Sequence, residues 1–199
     1  MYKKQMTIQK AVCLFVLCTS VIVFIYSLGI MTDLYDSLYY TITDASNREN
    51  VRRNSVAGAF LYYDMQDFNK QFLHYGIGLI LISLLLFITN THVRRRYYVG
   101  NIIAVAANVI ANVYVAVWAH TRISAYRADF LNVDFEALKT FSERRHTYYT
   151  ESTFFFDIHY LVFCLAIIAC VLLVANMIWK FSLMKKEQHL IDAGKGVAV

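Results

Sequence analysis

The sequence predicts an all-α polytopic membrane protein. It has four transmembrane helices, both termini on the cytoplasmic side, and helices that extend into an outer four-helix bundle with a short extra helix in the second outer loop. Three observations predict it. The 199 residues are 58% hydrophobic and only 17% charged, against roughly a quarter charged in ordinary soluble domains. Four blocks hold no Asp, Glu, Lys or Arg: residues 11–32, 71–93, 97–121 and 158–179. The chain also contains no proline and only seven glycines, so the usual breakers of long helices are missing.

Each uncharged block exceeds the roughly 20 apolar residues needed to cross a hydrocarbon core. Backbone groups in lipid must be satisfied within the segment, so runs of this length mean helices. The spans fall at about 11–31, 73–91, 98–119 and 158–180, within one four-helix domain covering 1–199. The first block is too long for a signal-peptide core, and Ser27-Leu28-Gly29 is a poor cleavage site.

Charge sets the orientation. Residues 1–10, 92–97 and 181–199, with Lys180 at the edge of the last span, carry a net charge of +8, whereas the two long connections carry −3. The excess of Lys and Arg places both termini and the Arg94–Arg96 turn in the cytoplasm. The overall +5 therefore reflects topology and gives no reason to expect nucleic acid as a partner. Cys13, Cys18, Cys164 and Cys170 all lie in spans, so no disulfide framework holds the outer segments together. No N-x-S/T sequon occurs either. Both absences favour a bacterial plasma membrane.

Helical patterning continues beyond the spans, into outer segments 32–72 and 120–157. Apolar stripes run through Met31, Leu34, Leu38 and Ile42, through Leu61, Met65, Phe68 and Phe72, and through Ala119, Ile123, Tyr126 and Phe130. Three amphipathic extensions require one another for burial. At the first tip, Ser46 and Glu49 form a capping box, which starts the second helix there and carries it to about Thr89, with a jog near Arg52–Ser55. At the second tip, Asp134 caps a short helix over 135–145. Thr150 or Ser152 then caps the last long helix. "FLYYD" (60–64) and "FFFD" (154–157) leave room for an internal duplication.

Three features bear on function. On the third helix, Asn101, Asn108 and Asn112 fall within about 40° of one another, beside a seam of small residues, Gly100, Ala104, Ala107 and Ala111. A small-residue seam lets membrane helices approach closely, and amides beside it hydrogen-bond across; Ser20, Ser83 and Asn176 are the expected partners. The competing reading makes the stripe a lining for a solute path, but ion-coupled sites usually carry an intramembrane charge, and no block has one. Secondly, His74, His120 and His159 sit at similar depth and could ligate haem or a metal ion, aided by Asp64, Asp67 or Asp157. Asp157 and His159 are two apart, hence on nearly opposite faces, and no His-x-x-His or Cys-x-x-Cys pair supports them. Thirdly, Tyr35, Tyr39, Tyr40, Tyr62, Tyr63, Tyr148, Tyr149 and Phe154–Phe156 crowd the outer segments, a composition suited to a protein interface.

No nucleotide loop, nucleophile elbow or zincin motif occurs, which leaves nothing to bind ATP and no expected cofactor. The sequence thus favours a non-enzymatic membrane protein contacting lipid and other membrane subunits through its aromatic outer bundle. Behind it stand a homo-oligomeric channel or carrier lined by the asparagines, and a haem or metal redox protein using the histidines.

Overall fold

A computed structural model describes residues 2–29, 58, 61–92, 98–145 and 150–194. They form six helices: α1 Tyr2–Gly29, α2 Leu61–His92, α3 Tyr98–Phe130, α4 Phe135–Arg145, α5 Phe154–Asp157 and α6 His159–Asp192. Four of these are long and apolar enough to cross a membrane, within Lys4–Gly29, Asp64–Asn90, Asn101–Phe130 and Phe154–Leu190. At 1.5 Å per residue, the 33 residues of α3 reach about 50 Å, well beyond a hydrocarbon core of about 30 Å.

Large apolar side chains cover the outside as well as the inside, and several polar ones are buried. Ile110 is 68% exposed and Ile178 62%, whereas Asn108 and Ser83 are wholly buried. In water such a coat would be a large association hazard; it is compatible with hydrocarbon as the solvent.

The chain divides into two compact units. The first comprises residues 1–20, 79–113 and 165–199. Its apolar core is Cys13 and Val16 of α1, Leu86 of α2, Val105 of α3, and Ala169, Leu173 and Met177 of α6.

The second unit comprises residues 21–78 and 114–164 and has an aromatic core. Phe72 meets Tyr26 and Phe163 edge-on, with ring centres 5.9 and 6.3 Å apart. Phe68 stacks on Trp118 at 5.1 Å. Such pairs add about 0.5–1.5 kcal/mol each beyond the area they bury. All members of the predicted stripe Leu61, Met65, Phe68 and Phe72 are buried, as are Ala119, Ile123 and Phe130; Tyr126 is half-buried. Trp118 lies half-buried among Phe68, Phe72 and Tyr75.

Local chemistry explains the breaks. α3 ends in tightened turns, where Asn132 N–H donates to Asp129 O and Val133 N–H to Phe130 O. Asp134 Oδ1 then accepts from Ala137 N–H at 3.0 Å, the cap expected for α4. Leu138 of α4 is fully buried, and Phe130 packs on Phe135 and Phe156.

One boundary differs from expectation, and at another an expected residue makes the bond but on the short α5. The second helix does not run unbroken from the first tip, because Gly58 has φ +81°, a left-handed conformation incompatible with helix continuation. Leu61 N–H donates to Gly58 O, and α2 starts there. The glycine is also required by space, since a Cβ at this position would lie 2.9 Å from Val133 Cα. At the last tip, Thr153 occupies the position before α5 without a side-chain cap bond. Ser152 Oγ accepts Phe154 N–H instead, and Thr150 Oγ accepts Ser152 N–H. The capping box at Ser46, the stripe Met31–Ile42 and Tyr35, Tyr39, Tyr40, Tyr148 and Tyr149 lie outside the described residues, as do the side chains of Tyr62 and Tyr63.

Candidate functional site

The asparagine stripe of α3 belongs to the first unit. Asn108 Nδ2 donates to Ser83 Oγ of α2 at 3.0 Å, and Ser83 Oγ shares a 2.7 Å hydrogen bond with Ser20 Oγ of α1. Asn112 Nδ2 donates to both Asn108 O and Asn108 Oδ1, at 2.9 and 3.0 Å. One hydroxyl–amide chain thus ties three helices. Ser20 also donates to Val16 O, so the chain ends on backbone. Asn101 is buried too, but its Oδ1 has no partner among the described residues.

The small residues beside the stripe do not form a buried seam. Ala107 is exposed, and Ala104 and Ala111 are half-buried. The side-chain surroundings of Gly100 lie outside the described residues. Asn176, an expected partner of the stripe, is bonded elsewhere. It accepts from Gln5 Nε2 at 3.4 Å. Gln5 Nε2 also donates to Gln9 Oε1, and Gln9 Nε2 donates to Asn90 O and Oδ1 at 2.7 and 3.2 Å.

This second cluster was missed. Its signal was present as Gln5 and Gln9, one helical turn apart. Lys3, Lys4 and Lys10 flank both glutamines and give this stretch the charge pattern of a tail. Lys180, the first charge after the last uncharged block, is likewise buried in the protein, at 8% exposure.

The histidines lie in the second unit, and two of the three meet. His120 Nδ1 and His159 Nε2 are 2.9 Å apart, with ring centres 5.1 Å apart, a head-on arrangement. The tautomers follow from the third partner. His159 Nδ1 bonds Phe156 O, and a carbonyl can only accept, so Nδ1 carries the proton. Neutral His159 then has a bare Nε2, which accepts from His120 Nδ1–H. The remaining lone pair of the dyad is on Nε2 of exposed His120, beside the Tyr160 ring.

His74 is not part of this pair; its Nδ1 bonds Lys70 O one turn away. Both Asp157 oxygens are engaged: Oδ1 with Arg127 Nε at 2.6 Å and Oδ2 with Thr153 Oγ at 2.7 Å. Among the described residues, no group of three or more His, Cys, Asp or Glu side chains is placed to hold a metal ion. The arrangement can share one proton between two imidazoles.

No family model matches this chain, and neither a curated protein nor a solved structure does. Among the described residues the regular structure is helical, with four helices of membrane-spanning length and apolarity.

Proposed function

We propose that the chain is a non-enzymatic multi-pass protein of the plasma membrane, both termini cytoplasmic, serving as a small subunit or assembly partner of a larger membrane complex. The bacterial cell membrane remains the favoured location. The observation that carries this reading is the destination of the buried polar groups. Asn108, Asn112, Ser20 and Ser83 are each at most 3% exposed and bond one another across three helices. Side chains so engaged act as glue and register. Contacts pairing residue 9 with 90 and 20 with 83 support an up-and-down bundle. Exposed Phe154, at 58%, and Tyr160, at 56%, leave aromatic surface on the second unit for a partner.

The test is purification from the native source in mild detergent, with identification of co-purifying proteins. A stoichiometric membrane partner supports the reading; a lone homogeneous species refutes it.

One observation favours the channel or carrier reading. Gln5 Oε1 and Asn101 Oδ1 are buried acceptors without a partner among the described residues, as a polar path would require. Solute flux in liposomes that disappears with Asn101→Leu would establish it. A haem or metal role would require a ligand beyond the histidine pair, and a Soret band lost with His159→Ala would reveal one.

A further inference from the structure

Two cavities in the first unit lie along one face of α6. The deeper part is an apolar groove of about 400 Å³ between α3 and α6, walled by Val109, Val113, Ile167, Val171, Val174 and Ile178. Further along the same helix, a cavity of about 670 Å³ is lined by Ser182, Lys185, Lys186, His189, Leu190 and Ala193. At 100° per residue, Ile167, Val174, Ile178, Ser182, Lys185, Lys186 and His189 all point within about 60° of Val171. The two cavities therefore lie on one side of α6, the apolar one first and the donor-rich one after it.

The dimensions match one leaflet. From Ile167 to Ile178 the helix rises about 16 Å, close to half of a hydrocarbon core about 30 Å thick. Trp179 follows directly and is 37% exposed, where an interfacial aromatic belongs. The donors begin three residues later. Two ammonium groups, a hydroxyl and an imidazole converge on one side, all on exposed residues. Of the two acids in α6 after Lys180, Glu187 points about 160° away from Val171 and Asp192 shares the helical phase of the donors, so two lysines against one acid leave this face net positive.

We propose that this face of α6 binds one anionic phospholipid. An acyl chain lies in the groove from Ile167 to Ile178, and the headgroup phosphate meets Lys185, Lys186, Ser182 and His189. Charge selects the occupant. A partner helix would fill the apolar groove but leave the two lysines facing solvent, and a zwitterionic lipid brings its own cation to a site already cationic. Basic pockets at the membrane surface hold anionic headgroups for this reason.

The experiment uses the full chain in detergent micelles, with native mass spectrometry counting lipids retained from added phosphatidylglycerol or phosphatidylcholine. One phosphatidylglycerol per chain is expected to survive activation that strips phosphatidylcholine. Lys185→Gln with Lys186→Gln should weaken retention about 30-fold, at roughly a fivefold contribution for each lysine near the surface. Arginine at both positions should restore it. Lys70→Gln with Lys139→Gln, a control on the second unit, should change nothing. Val174→Trp tests the tail groove and should also reduce retention, with helical circular dichroism showing that each variant is folded.

Equal retention of the two lipids would overturn the proposal. So would insensitivity to the lysine pair, equal loss in the control, or full retention with Val174→Trp. Displacement by millimolar glycerol phosphate would show a site for free phosphate and overturn the lipid assignment.

Discussion

Replacing Asn108 by leucine separates glue from path lining most sharply. The substitution removes two side-chain bonds, Nδ2 to Ser83 Oγ at 3.0 Å and Oδ1 from Asn112 Nδ2 at 3.0 Å. Neither partner is left bare. Ser83 keeps its 2.7 Å bond to Ser20, and Asn112 keeps Asn108 O at 2.9 Å. Interhelical bonds in membranes average about 0.6 kcal/mol; the Ser83 bond is one of these, and the Asn112 bond, which lies within α3, adds about 0.5–1 kcal/mol, partly offset by the apolar packing that leucine gains. Asn108→Leu should therefore lower stability by about 1 kcal/mol. Asn108→Asp places an ionisable carboxyl in a fully buried position, at about 2.5–3.5 kcal/mol on the insertion scale. The assay is reversible unfolding in mixed micelles, with solute flux measured in liposomes on the same preparations. A loss above about 3 kcal/mol for leucine would refute the redundancy just described. Abolished flux with unchanged stability would refute the glue itself. A double-mutant cycle with Ser83→Ala should give a coupling of about 0.6 kcal/mol and not above about 1.7.

Gly58→Ala should destabilise by about 2 kcal/mol, from the left-handed φ of +81° and a Cβ 2.9 Å from Val133 Cα, at roughly 1–2 kcal/mol for the backbone alone. Gly78→Ala, which meets nothing within 4 Å, is the control; a thermal shift of equal size in both would contradict this account. Asp134→Ala should cost about 1 kcal/mol through the lost cap, read as a lower Tm, while Asp134→Asn should retain most of it. Backbone amides of Met65 and Tyr126 should resist hydrogen exchange, since each lies inside a long helix of the aromatic-cored unit; rapid exchange there would rule out that packing.

The spans were legible because hydrocarbon permits few alternatives: uncharged runs of such length must be helical, and no proline interrupts them. Stripes such as Leu61–Phe72 were legible for a similar reason, since spacing fixes which side chains share a face. Asp134 announced itself by its position before Phe135. Gly58 did not, because a positive φ there depends on the approach of Val133, 75 residues away in the chain. Helical phase placed the asparagines together, but phase on one helix does not choose partners on another. Asn176 and Ser83 looked equivalent by depth, and only the packing assigns them to different clusters. The His120–His159 bond was out of reach for the same reason, although their common depth was visible.

The polar clusters also set a timetable. A chain leaves the ribosome at about 5–20 residues per second. Ser20 waits 63 residues for Ser83, or about 3–13 s. Asn108 follows Ser83 after only 25 residues, about 1–5 s. Gln5 must wait for Asn176, 171 residues downstream, which takes about 9–34 s. Gln5 Nε2 also donates to Gln9 Oε1 one turn along the same helix, a bond that does not need α6. α1 and α2 can therefore register first, α3 can lock onto Ser83 next, and the last helix closes on a site kept ready for it.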